Sequence, residues 1–105
     1  MDNGDAGGCK AVLRIEGEMT IYRADELKQS LLAAMREAPF LEIDLSAVTE
    51  IDTAGVQLLM LVRKAAEAKG HALRLIAHSA AVVEAFELLN LAAWFGDPIV
   101  IAPAA

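Results

Sequence analysis

The sequence has little of what marks several classes of protein. Its single cysteine, Cys9, cannot form an internal disulfide, and no Cys and His residues have the spacing of a metal site. Nine Lys and Arg residues stand against fifteen Asp and Glu residues, and the net charge of −6 disfavours nucleic acid as a partner. We therefore expect neither a bound metal nor a nucleic-acid surface.

Long apolar runs are also missing. No run approaches the roughly 20 residues that cross a membrane. The first residues, "MDNGDAGG", lack the basic and apolar regions of a signal peptide. Together with the single cysteine, these features favour a cytoplasmic protein that does not insert into membranes.

The chain is nevertheless rich in core-forming residues. Apolar residues make up 56% of its 105 residues, which is too many for a disordered chain and suits one domain. We interpret residues 1–9 as a flexible arm and 10–102 as a single domain. Within that domain we find neither repeats nor linkers.

Two hydrophobic periods alternate along the domain. Stretches of period two predict strands, and stretches of period 3.6 predict helices. Gly17 should end the first strand, Pro39 follows the first helix, and 46–51 should form a loop. The predicted strands are 10–18, 40–46, 71–77 and 97–102, and the predicted helices are 22–38, 54–68 and 79–90.

This order predicts an α/β fold with a small mixed, mostly parallel β-sheet flanked by helices, in which 54–68 is the most buried helix. Sites in such sheets lie at the carboxyl ends of strands. "GEMT", "DTAG" and "AHSA" fall at such ends. Trp94 and Phe95 follow the last helix, where they either close the core or form a ligand platform.

Asp52 and Thr53 form a polar pair at the start of a long apolar run. Both residue types cap helices, because their oxygens accept hydrogen bonds from the free amides of the first turn. Ala54 and Gly55 are small, so the amides behind them would stay open to an anion, and a phosphate on Thr53 would meet them. The residues leave both interpretations open, a cap or a modified site.

Enzymatic chemistry finds little support. The sequence has no nucleophile elbow and no phosphate-binding glycine loop. His71 and His78 flank one strand, where a structural or solvated role is expected, and Cys9 has no activating neighbour. We expect a protein that is not an enzyme and needs no cofactor.

The stretch "LEIDLSAVTEIDTAGVQLLMLVRKAAEAKGHALRLIAHSAAVVEAFELLNL" resembles a STAS domain, the fold of bacterial anti-sigma factor antagonists. Those proteins typically read Asp-Ser-Ser/Thr-Gly where this chain has Asp52-Thr53-Ala54-Gly55. Upstream, "IEGEMT" is similar to the family's Gly-Glu-Leu-Asp turn, which helps form the partner surface. The resemblance covers roughly 10–101.

The resemblance implies a regulatory module that docks an ATP-binding anti-sigma factor, a serine/threonine kinase, through the end of the helix near Thr53. Phosphorylation of Thr53 by that kinase would then part the complex. The partner-binding residues implied are Met19, Thr20, Asp52, Thr53, Ala54, Gly55, His78 and Ser79.

The chain departs from the family pattern at two positions, since Thr53 replaces a serine and Thr20 replaces an acid. Asp-Thr-Ala-Gly also occurs in relatives that are not sigma-pathway switches. One group is the small STAS subunit of the lipid-asymmetry ABC transporter, and another is associated with chemotaxis, which "EMTIYRADELK" also resembles. The alternative is therefore a non-phosphorylated adaptor of a chemotaxis system or a transporter.

Overall fold

The computed structural model of the protein describes residues 10–89, which form three strands and three helices in alternation. They are β1 (Lys10–Met19), α1 (Ala24–Glu37), β2 (Phe40–Ile51), α2 (Thr53–Ala68), β3 (Ala72–Ile76) and α3 (Ala80–Leu89). The predicted arm 1–9, the strand 97–102 and the pair Trp94–Phe95 lie outside the described residues.

The three strands form one parallel sheet in the order β1-β2-β3. Leu13 pairs with Ile43, and Ile43 pairs with Leu75, so that these side chains share one face of the sheet. They join one core cluster with Leu31 of α1 and Leu59 of α2. The α/β class with a parallel sheet is thus confirmed, and each βαβ crossover carries one helix.

Helix α2 is the most buried of the three helices, as its sequence predicted. It has six buried residues, against three in α1 and two in α3. Within residues 10–89, no helix combines the length and the hydropathy that a membrane span needs.

The predicted end of the first strand and the predicted loop after the second are both wrong. Gly17 does not end β1, and residues 46–51 continue β2. The ladder shifts register between Arg14 and Glu16 and again between Gly17 and Glu18, which allows Met19 to pair with Ile51. Gly17 has a φ of +84°, a conformation that glycine adopts without steric cost.

This extension positions the carboxyl ends of β1 and β2 side by side. β3 ends at Ile76, opposite Asp44, and α3 packs along β2. Phe86 of α3 is 1% exposed and meets the ring of buried His78 edge to face, at 5.7 Å between centroids. His71 also has a structural contact, because its Nδ1 lies 2.9 Å from the carbonyl oxygen of Met35.

Candidate functional site

Asp52 connects the start of α2 to the chain that leaves β1. It is the residue directly before α2, and its Oδ1 accepts a hydrogen bond from the Gly55 amide at 3.0 Å. Its Oδ2 accepts one from the Ile21 amide, also at 3.0 Å. Its own amide donates to the carbonyl oxygen of Met19 at 3.2 Å. One short side chain thus fixes the geometry where both strands end.

These contacts change the acidity of Asp52. The hydrogen bond from the Ile21 amide holds the pKa of this carboxyl below its ordinary value of 3.8. Partial burial opposes that shift, whereas hydrogen bonds from the amides of Gly55 and Ala54 reinforce it. Asp52 is therefore an anion at neutral pH, and its carboxylate accepts the hydrogen bonds that the first turn of α2 offers.

Gly55 is needed because the backbone of β1 comes very close to it. A Cβ at this position would lie 2.1 Å from the Met19 carbonyl oxygen and 2.9 Å from Cγ1 of Ile51. Gly55 is buried and its amide is used by Asp52. The expectation that small residues leave this amide open to an outside anion is therefore wrong. The missing side chain makes room for β1.

Thr53 is the first residue of α2, and the cap is its neighbour Asp52. Thr53 is exposed, whereas Ala54 behind it is half-buried. Of the two interpretations left open by the sequence, the capping one belongs to Asp52. Thr53 itself is a solvent-exposed residue at the start of α2.

The other predicted partner-binding residues are enclosed in the fold. Met19 and His78 are 0% and 1% exposed, and Thr20 and Ser79 are also buried. The Thr20 hydroxyl donates to a carboxylate oxygen of Glu18 at 3.0 Å. Ser79 caps α3, since its Oγ accepts from the Val82 amide at 3.3 Å. These four side chains support the end of the sheet from within.

Sequence reasoning missed two exposed apolar residues beside this site. Ile21 and Tyr22 are 63% and 91% exposed, in the turn between β1 and α1. Helix α1 begins at Ala24, two residues later than predicted. The available signal was an apolar pair directly after the end of a strand, which is unusual in a turn that faces solvent.

An apolar groove runs between α1 and α2 and begins at this turn. Its volume is about 520 Å³, with charged Asp25 and Lys28 on the α1 side. Its lining residues are Ile21, Ala24, Asp25, Lys28, Ala54, Gln57, Leu58 and Leu61. Ala54 borders this groove, whereas Thr53 lines a second depression, toward α3, with Ile51, Asp52, Val56, Ala85, Leu88 and Leu89. We call the groove, the turn and Thr53 together the α1/α2 surface.

Replacing Asp52 by Asn should make stability less dependent on acid pH. Oδ2 of the carboxylate accepts the Ile21 N–H and Oδ1 accepts the Gly55 N–H, whereas an amide has one acceptor oxygen and turns a donor toward the other N–H. We expect a loss of about 1–2 kcal/mol in the free energy of unfolding at pH 7. The measurement is urea unfolding of both proteins between pH 7 and pH 2.

The difference between the two proteins should close as the pH falls. A carboxyl with a lowered folded-state pKa stabilises the fold above its unfolded pKa, and that contribution is lost as the pH drops through the folded pKa. Burial raises the pKa of Asp44, but hydrogen bonds from Ser46 and the charge of Arg14 lower it more. Asp44 titrates in both proteins and cancels in the difference. If the difference in the free energy of unfolding between the two proteins stayed constant down to pH 2, the hydrogen bonds from the two amides to the Asp52 carboxylate would not be what stabilises the fold.

Comparisons with known proteins identify the family and the fold. The model of one protein family, described as "Mlab, STAS domain", matches residues 5–101. An anti-sigma factor antagonist from Mycobacterium paratuberculosis shares 26% identity at a TM-score of 0.74, covering 92% of this chain and 80% of its own. The anti-sigma factor antagonist SpoIIAA in its unphosphorylated form shares 18% identity at a TM-score of 0.67, covering 90% and 84%.

A different kind of protein has the same fold. A sulfate transporter family protein from Wolinella succinogenes shares 22% identity at a TM-score of 0.69, covering 83% of this chain and 71% of its own. The matched fold thus occurs in both regulatory and transport-related proteins.

Proposed function

The chain belongs to the STAS domain family, and from this premise we propose that it is a cytoplasmic protein-binding switch. In this proposal the α1/α2 surface docks an ATP-binding kinase that acts as an anti-sigma factor. The kinase transfers the terminal phosphoryl group of ATP to Oγ1 of Thr53, the hydroxyl proton leaves, and ADP is released. The chain itself catalyses nothing and carries no cofactor.

The observation that carries the proposal is the exposure of Thr53 next to accessible apolar residues. Ile21 and Tyr22 lie on the turn whose backbone is bonded to Asp52, the residue before Thr53. Tyr is one of the residue types enriched among those that supply most of the binding energy at protein interfaces. A protein that binds these residues would also contact the neighbouring hydroxyl and could phosphorylate it.

Asp52 makes a phosphate on Thr53 effective as a signal. Its carboxylate already accepts the Gly55 amide, so that the first turn of α2 is occupied. A phosphate adds about −1.5 to −2 charges and would meet the charge of Asp52 next to it. It would therefore stay at the surface, where it opposes a docked partner.

A second candidate function is a non-phosphorylated adaptor of a transporter or of a chemotaxis system. The matching family model is described by the name Mlab rather than as an antagonist, and this observation favours the adaptor. The groove between α1 and α2 would then hold a partner permanently, with Thr53 as a contact residue. Thr53→Ser should be nearly silent in that case.

Affinity capture can separate these two candidates. The native protein is immobilised, and lysate of its source organism is passed over it without ATP. ATP and Mg²⁺ are then added, and the retained proteins, the released proteins and the modified residues are identified by mass spectrometry. We expect an ATP-binding protein kinase among the proteins retained before ATP is added, and its release together with phosphothreonine at position 53 afterwards. Thr53→Val keeps the shape of the side chain without a hydroxyl and serves as the control for modification.

The other outcomes are equally informative. Capture of a transporter ATPase or of a chemotaxis component, with Thr53 unmodified, would replace the switch by the adaptor. Turnover of a small substrate that is lost in Thr53→Ala would overturn both candidates in favour of an enzyme.

A further inference from the structure

The exposed turn of Ile21 and Tyr22 is fixed to the fold at both ends. On one side the Ile21 amide donates to Asp52. On the other, the Arg23 amide donates to the Thr20 carbonyl oxygen at 2.9 Å and closes a tight turn. Two large apolar side chains thus lie in solvent on a backbone that the fold holds in place.

The side chain of Arg23 reaches back from this turn to β1. Its Nη1 donates to the carbonyl oxygen of Glu16 at 2.7 Å and to that of Glu18 at 2.8 Å. Its Nη2 lies 3.5 Å from a carboxylate oxygen of Glu26 in α1. A single guanidinium therefore joins β1, the turn and the start of α1. The two hydrogen bonds from Arg23 to carbonyl oxygens are short and charge-assisted, and hence strong.

Gly17 leaves space for this guanidinium. A Cβ on Gly17 would lie 3.2 Å from Nη1 of Arg23, and the glycine also has the positive φ that the register shift requires. The two carbonyl groups bonded by Arg23 are those on either side of Gly17 in the sequence. The register shift of β1 at Gly17 thus leaves the space and the carbonyl acceptors that the guanidinium of Arg23 uses.

We propose that Arg23 is a positioning residue that holds Ile21 and Tyr22 ready for a protein partner. Binding is tighter when the contact residues are already ordered, because less conformational freedom is lost on association. A tyrosine on a rigid backbone is the kind of anchor that protein interfaces favour. The inference rests on the proposed function, since it concerns the same α1/α2 surface.

The first test is amide hydrogen exchange in the native protein and in Arg23→Gln, followed residue by residue by NMR. We expect the exchange rates of the Ile21 and Arg23 amides to rise about tenfold, the equivalent of losing one to two net hydrogen bonds. The amide of Leu31, in the buried part of α1, should not change. Arg23→Lys should recover part of the protection, since an ammonium group can donate to the same carbonyl groups.

Arg14→Gln is the matched control. Arg14 is an exposed arginine of β1, the strand to which Arg23 is bonded, and its Nε lies 3.8 Å from the Glu16 carboxylate. Its replacement should leave the exchange of the turn unchanged. If Arg23→Gln leaves the turn unchanged as well, or raises exchange at Leu31 equally, Arg23 is not a positioning residue and the proposal fails.

The second test measures how much captured partner each variant retains. Arg23→Gln and Tyr22→Ala should both lower the retained amount, whereas Arg14→Gln should not. A loosened turn with undiminished capture overturns the role of Arg23 but leaves the switch at Thr53 intact. If instead no protein is captured by the native chain, the proposed function fails and exchange alone decides whether Arg23 holds the turn.

Discussion

Gly55→Ala should lose about 3 kcal/mol or more of the free energy of unfolding, at the upper end of what overpacking costs and a large part of the roughly 5–15 kcal/mol typical of a small domain. The added Cβ would lie 2.1 Å from the Met19 carbonyl oxygen and 3.0 Å from the carbonyl carbon. Both atoms belong to backbone that is paired with β2. They cannot move aside as a side chain would, so that α2 and β1 must separate. Urea unfolding followed by circular dichroism measures the loss.

Gly70→Ala is the matched control for this result. Gly70 follows α2 with a φ of +74°, and nothing lies within 4 Å of the Cβ that alanine would add. Its replacement carries only the strain of a left-handed residue, about 1–2 kcal/mol. Equal losses in the two variants would mean that the close approach of β1 to α2 is not what Gly55 provides.

Thr53→Glu should leave the fold intact and weaken partner binding by more than a hundredfold. At the first position of α2, a negative charge gains about 0.3–1 kcal/mol from the helix dipole, and repulsion by Asp52 offsets part of this. Stability should therefore change by less than about 1 kcal/mol. An unpaired charge buried in an interface costs about 3–5 kcal/mol, and each 1.4 kcal/mol is a tenfold change in Kd.

Two variants serve as controls for this loss of binding. Thr53→Ser keeps the hydroxyl and should bind normally. Thr49→Glu adds the same charge at an exposed threonine of β2, beside Glu84 and Ala85 of α3. Titration calorimetry with the partner recovered by affinity capture measures each Kd. Native affinity in Thr53→Glu would reject the phosphorylation switch and favour the adaptor.

In the candidate site, sequence patterns predicted the motif at the start of α2 but not its contacts with the rest of the fold. The motif Asp52 to Gly55 was found from residue types alone, because a polar pair before an apolar helix has few explanations. The Ile21 amide that donates to the Asp52 carboxylate, and the Met19 carbonyl group beside Gly55, could not be found in this way. Ile21 and Met19 are more than thirty residues away in the sequence, and only the parallel pairing of β1 with β2 brings them close.

The accessible surface was the least predictable part. The short motif "GEMT" suggested Met19 and Thr20 as contacts, but both are buried at the end of β1. The strand continues two residues beyond Gly17, owing to the register shift, and hence the exposed positions move to Ile21 and Tyr22. A register shift of this kind depends on backbone pairing between strands and leaves no period in the sequence.

By itself the sequence determined the α/β class, the alternation of elements over the described residues and the helix that begins near Thr53, because these follow from local hydrophobic periods and residue types. The tertiary structure alone decided that Asp52 caps α2 while holding Ile21, and that Gly55 makes room for β1. It also decided that Arg23 fastens the exposed turn. Each of these depends on distances between segments that are separate in the chain, which only the packed sheet and helices fix.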